Sequence, residues 1–260
     1  MSNYTSFATD LAYKAGKIMR ENFDLGMERE LKEKDTSPLT IFDTAINRMV
    51  IESIYKTFPL HSIIGEEESL KKNSEYIWFC DPIDGTTPFT SGVPVSTFSL
   101  ALTRKGKPIL GVIYDPFMDR LFVGEKGKGS FVNKKRITIS NETSLKGKPI
   151  YTGWWKHSQY NLGAFRNNLS ENGTKIMDFN CFSYAGALVA AGEFLALIYP
   201  DHYPWDIAAV QILVEEAGGK CTDFTGAIPT YDKEINGFIA TNGKIHDEIL
   251  DLVKQFAHKM

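Results

Sequence analysis

Three acidic clusters in this chain have residue types and spacings that can do chemistry: Gly65-Glu66-Glu67-Glu68, Asp81-Pro82-Ile83-Asp84-Gly85-Thr86-Thr87, and Trp205-Asp206 at the start of a helical pattern. In the second, proline stiffens the chain after an apolar run, and two carboxylates three residues apart can converge on one cation with the Ile83 carbonyl in reach. Carboxylates packed together repel one another and take up protons unless a divalent cation neutralises them. All-oxygen donors favour magnesium or manganese over zinc. Gly85 permits a tight approach, and Thr86-Thr87 is predicted to open a helix whose free amides attract an anion. A phosphate group suits such a place: cations polarise its oxygens, amides hold the remainder, and water attacks in line with the leaving alkoxide.

Each residue also has a plainer use. Thr40-Ile41-Phe42-Asp43 fits a helix capping box. Asp206 suits a helix cap, Asp84-Gly85 a turn, and Glu66 to Glu68 a solvated charge run, with Glu66 favoured over Glu67 as a ligand by its adjacency to Gly65. His157, His202 and His246 lie apart and form no Ser-His-Asp or Cys-His arrangement.

The elements that must position these groups follow from periodicity. Phe7, Leu11, Ala15 and Ile18 share one helical face, and Ile46, Met49, Val50 and Ile54 line a second helix beginning at Thr40. The apolar runs Ser62 to Ile64 and Tyr76 to Cys80 read as strands that deliver acids to one sheet edge. Val95 to Val132 reads as an antiparallel meander with turn-rich breaks. From Ile150 onward strands and helices alternate; Ile207, Val210, Val214 and Ala217 share one helix face, and Ile245, Ile249, Leu252 and Phe256 mark the last helix. The polar stretch Ser140 to Pro149 is the expected junction between an α+β half, residues 1–140, and an α/β half, residues 141–260.

With 260 residues and 43% hydrophobic content, the chain can bury a substantial core. A formal net charge of −3 gives no positive field for nucleic acid, so a small-molecule partner is expected, with no nucleic acid and no membrane. Cys80, Cys181 and Cys221 are scattered and read as buried thiols of a reducing, cytoplasmic compartment.

The glutamate pair after Gly65, the heptapeptide from Asp81, Trp205-Asp206-Ile207-Ala208-Ala209 and Glu216-Ala217-Gly218-Gly219 together resemble the inositol monophosphatase family of magnesium-dependent, lithium-sensitive phosphatases. The likeness spans nearly the whole chain, and the heptapeptide is its most specific part. It implies a layered αβαβα sandwich, commonly a homodimer. It implies that Glu66, Asp81 and the Ile83 carbonyl hold one magnesium ion, that Asp81, Asp84 and Asp206 hold a second, and that a weaker third sits near Glu66. It also implies that Asp43 pairs with Thr86 to activate water, and that Gly85 and Thr86 bind phosphate.

The alcohol side departs from that pattern. Asn180-Cys181-Phe182-Ser183-Tyr184 stands where the inositol phosphatases have Arg-Ser-x-Gly followed by Ser or Thr, Tyr199 replaces their inositol-binding glutamate, and Pro88 replaces asparagine. Ser183, Tyr184 and Tyr199 are therefore the expected substrate contacts. Histidinol phosphate and 3′,5′-bisphosphorylated nucleotides stay open as substrates, since Lys34-Asp35-Thr36-Ser37-Pro38-Leu39-Thr40 resembles the lead-in segment of those groups. A noncatalytic protein that retains the fold and senses a phosphometabolite, or partners with RNA polymerase or another assembly, is the alternative from a different class.

Overall fold

The computed structural model describes residues 3–26, 29–32 and 38–260, so Lys34 to Ser37 of the lead-in segment lie outside the described residues. The described residues form seven helices, α1 (Asn3–Glu21), α2 (Ile41–Thr57), α3 (Thr86–Thr90), α4 (Gly163–Glu171), α5 (Phe182–Ala190), α6 (Pro204–Glu216) and α7 (His246–Phe256).

An eight-stranded sheet runs in the spatial order 135–137, 129–132, 120–125, 107–115, 97–104, 76–84, 62–65 and 69–70. Its meander is antiparallel, whereas Ser62–Gly65 lies parallel to Tyr76–Asp84. Side chains alternate across it: Trp78, Cys80, Leu100, Leu102 and Val112 pack with α1 and α2, while Phe79, Ala101 and Ile113 pack with α5 and α6. Burying each large side chain of this kind contributes about 1.5–3 kcal/mol.

The second sheet has five strands in the order 175–177, 149–152, 196–199, 238–241 and 220–222. Tyr151, Leu197 and Tyr199 face α5 and α6, whereas Ile150, Ala196 and Ile198 face α4 and α7. The layers are therefore α1/α2, eight strands, α5/α6, five strands and α4/α7: the αβαβα sandwich that the family resemblance implies.

The central layer differs from a simple amphipathic reading. Ile207 to Val214 are buried all round α6 because the helix lies between two sheets, so the single apolar stripe seen in the sequence is only part of its contact. Gly111 makes the approach possible: a Cβ there would lie 2.6 Å from both the Ala209 carbonyl oxygen and Ile212 Cγ2. All three cysteines are buried and free, and among the described residues no helix is long and apolar enough to cross a membrane.

Candidate active site

Residues three apart on a regular strand point to opposite faces, so Asp81 and Asp84 need a local irregularity to meet. The structure supplies one. Asp81 pairs with Ser99 and Asp84 with Thr97, so three steps on one strand match two on its neighbour. This bulge, at Pro82-Ile83, turns both carboxylates toward the central helical layer. There Asp206, in the first turn of α6, joins them, and carboxylate oxygens of the three come within 4.8 Å of one another. The plainer helix-cap use of Asp206 does not occur: Tyr203 is the N-cap, and Asp206 Oδ2 instead accepts a hydrogen bond from the Tyr199 hydroxyl.

Asp84 is anchored from the far half of the sequence. Its Oδ2 accepts from the Ser183 amide and hydroxyl, each at 2.5 Å, and from the Cys181 thiol at 3.3 Å, while Oδ1 accepts from the Phe182 amide at 3.2 Å. Asp84 thus satisfies the free amides at the start of α5. Burial first, then like-charged neighbours, push Asp81 and Asp206 well above the usual carboxylate range. Asp84 is raised by burial and partly restrained by its donors. None of the three has an ion-pair partner among the described residues.

Glu66 lines the same cavity without joining this cluster. Its Oε1 lies 2.6 Å from Lys32 Nζ, which also reaches Glu67 at 2.7 Å. Burial disfavours the charge on Lys32, but the two glutamates outweigh it and raise its pKa. Glu67 is pushed up to about 7 by burial and by Glu66, and it does not line the cavity. Glu68 belongs to the surface, paired with Arg48 at 2.8 Å. Sequence reasoning missed Lys32, one more lysine in the run Glu30-Leu31-Lys32-Glu33-Lys34, where it follows the short pairing of Glu30–Leu31 with Pro38–Leu39.

Asp43 and Thr86 are brought together from α2 and α3. Thr40 caps α2 in a full capping box, with Asp43 Oδ2 accepting from the Thr40 amide at 2.8 Å and hydroxyl at 2.5 Å. That leaves Oδ1 facing the Thr86 hydroxyl, 3.4 Å away, and the same hydroxyl lies 3.0 Å from the Ile83 carbonyl. Capping and the second contact coexist because they use different oxygens. Burial, opposed by the Thr40 hydrogen bonds, lifts Asp43 to about 6. Gly85 holds φ at 87°, and a Cβ there would sit 2.9 Å from the Val95 carbonyl. Helix α3 has only five residues, too short for the dipole argument made from sequence; any anion held there meets local groups of Gly85, Thr86 and Thr87, all of which line the cavity.

These residues floor a cavity of about 510 Å³. Of the expected substrate contacts, Ser183 and Tyr184 do not line it. Ser183 is wholly buried, committed to Asp84 and to Thr97 at 2.7 Å, because the first turn of α5 points at the aspartate. Tyr184, one residue on, points the other way, its hydroxyl accepting from Arg120 at 2.9 Å. Tyr199 does line the cavity, but its hydroxyl is engaged by Asp206. Phe182, Trp154, Trp155, Tyr203 and Trp205 also line it, none of them named among the expected substrate contacts.

A family model described as the inositol monophosphatase family matches residues 1–258. The chain belongs to this family. It is 30% identical over 261 residues to a fructose-1,6-bisphosphatase/inositol-1-monophosphatase of Aquifex aeolicus, covering 98% of this chain and 97% of the relative. It is 33% identical over 228 residues to the Nus factor SuhB of Escherichia coli, covering 85% of each. Among solved structures, an IMPase of Thermotoga maritima superposes with a TM-score of 0.89 at 31% identity, covering 98% of both chains. The donor set fits the divalent cation that this family generally uses. Three crowded carboxylates, two of them buried and none ion-paired among the described residues, are an anionic site that a bound cation would stabilise.

Proposed function

We propose that this protein hydrolyses a small phosphate monoester with magnesium bound at Asp81, Asp84 and Asp206, assisted by Glu66 and the Ile83 carbonyl. The observation that carries this reading is the convergence of the three aspartates within 4.8 Å on the floor of a cavity also lined by Thr86. When bound, two or three magnesium ions, with manganese as substitute, would neutralise the phosphate and sharpen the acidity of water beside it. The Thr86 hydroxyl takes a proton from the attacking water while passing its own to Asp43 Oδ1. An Asp43 pKa lifted to about 6 makes that carboxylate a better base near neutral pH than an ordinary aspartate. Gly85 and Thr86 hold the phosphate, and no enzyme nucleophile is required. The complete acid set favours catalysis over a purely noncatalytic binding protein, and the family resemblance adds lithium inhibition and a homodimer to the proposal.

Release of inorganic phosphate from p-nitrophenyl phosphate tests this reading. Turnover should require magnesium, vanish in excess chelator and fall with lithium. Full turnover in chelator would refute it.

A further inference from the structure

Tyr199 joins the aspartate cluster to the rest of the cavity. It ends the strand Ala196–Tyr199, is paired there with Phe238, and is wholly buried. Phe182 packs edge-to-face on its ring at 4.7 Å, and the Trp155 ring lies 6.1 Å away. Packed this way, the ring cannot swing without displacing its neighbours, and its hydroxyl donates to Asp206 Oδ2. The backbone of Asp206 is fixed as well: Pro204 opens α6, and the Trp205 carbonyl accepts from the Ser99 hydroxyl at 3.3 Å.

The other two aspartates follow the same plan. Asp81 Oδ1 accepts from the Ile83 amide at 3.0 Å, and Asp84 Oδ2 accepts from the amide and hydroxyl of Ser183. In each of the three carboxylates one oxygen is thus strongly engaged by the protein itself. A carboxylate held in this manner meets a cation in one orientation and through its other oxygen. Magnesium, which demands a near-octahedral shell at about 2.0–2.1 Å and keeps several waters, is well served by single oxygens. Calcium gathers about 6–8 oxygens at longer distances and gains from carboxylates that bind through both.

We propose that Tyr199 is a positioning residue of the metal centre: acting through Asp206, it restricts that aspartate to one oxygen toward the cation and so favours magnesium over calcium. This rests on the phosphatase reading above, and it gives Tyr199 a task other than gripping the leaving alcohol. Tyr199→Phe removes the hydroxyl and keeps the packed ring. Manganese binding to the native chain and the variant is read from the electron paramagnetic resonance of the free ion, with magnesium and calcium as competitors, so each affinity is obtained without turnover. In Tyr199→Phe the magnesium affinity should fall about tenfold or more, the scale for losing a group that orients a metal ligand, while calcium affinity holds or rises. In turnover the change should appear in the magnesium requirement and not in KM for p-nitrophenyl phosphate. Equal weakening of both ions, unchanged affinities, or an effect confined to KM overturns the inference while leaving the phosphatase reading intact. Absence of manganese binding by the native chain defeats the phosphatase reading, and the inference with it.

Discussion

The two sides of the cavity are built on opposite plans. The acid side takes Asp81, Asp84, Gly85 and Thr86 from one continuous segment and adds Glu66 and, from α6, Asp206, with Asp43 of α2 facing the Thr86 hydroxyl. The aromatic side collects its walls from three separate stretches: residues 154–155, Phe182, and 199–205. The first fixes reacting groups through hydrogen bonds to buried carboxylates. The second offers ring surface and few directional contacts. The two meet where the Tyr199 hydroxyl donates to Asp206 and the Phe182 amide to Asp84, and the difference teaches that the acid cluster is carried by contiguous residues whereas the walls are assembled only in space.

The largest effects should come from the acid side. Asp84→Asn and Asp206→Asn should each reduce kcat/KM by about 10³-fold or more, roughly 4 kcal/mol of transition-state stabilisation. Their effects on the metal-free fold should have opposite signs. Asp206→Asn relieves charge repulsion and should raise the thermal midpoint. Asp84→Asn turns an amide toward the donors of α5 and should lower it, because buried donors lose charged acceptors. Equal shifts in chelator, read by calorimetry, would erase the distinction drawn between the two aspartates.

Next come Thr86→Ala and Asp43→Asn, each expected to lower kcat by about 100-fold. The double variant should be little worse than either single one if the pair works as a unit. Additive losses would mean that Asp43 serves only the capping box, and stability measurements on the same variants separate that contribution, about 1 kcal/mol.

The acid side was legible because its groups are contiguous: Asp81-Pro82-Ile83-Asp84-Gly85-Thr86-Thr87 declares a strand end, a pair of converging carboxylates and a turn together. The bulge that brings Asp84 onto the face of Asp81 was not legible, since it depends on register against Ser99 and Thr97. The aromatic walls were hidden for the same reason. Trp154, Phe182 and Tyr203 have no sequence spacing that unites them; the five-stranded sheet and α5 do so in space. Ser183 was misread because its segment stands where the family has its substrate-facing motif, whereas it lies in the first turn of α5 and is spent on Asp84. The layered fold, by contrast, was readable from the family resemblance and from helix and strand periodicity.

The smallest effect lies outside both sides and serves as their control. His246 is buried, its ring nitrogens each 3.0 Å from a threonine hydroxyl, Thr222 or Thr241. Burial, reinforced by Lys220, pulls its pKa down from 6.5 to about 4. The unfolded chain therefore gains a proton that the folded chain refuses, so stability is full above pH 6.5 and declines as pH falls toward 4. The loss should be at most about 3 kcal/mol. Urea unfolding at pH 7 and pH 5 should show it, and His246→Gln should flatten it. A slope unchanged by that variant would assign the pH sensitivity of the fold to other groups.

The most direct test of the central claim is phosphate release as a function of magnesium concentration, measured in parallel for the native chain and Asp206→Asn. The native chain should be inactive without the cation and saturate as it is added. Asp206→Asn should need much more magnesium and reach only a small fraction of the native rate. Identical magnesium curves for the two proteins, or undiminished release in excess chelator, would contradict the assignment of the aspartate cluster as the metal centre of a phosphatase.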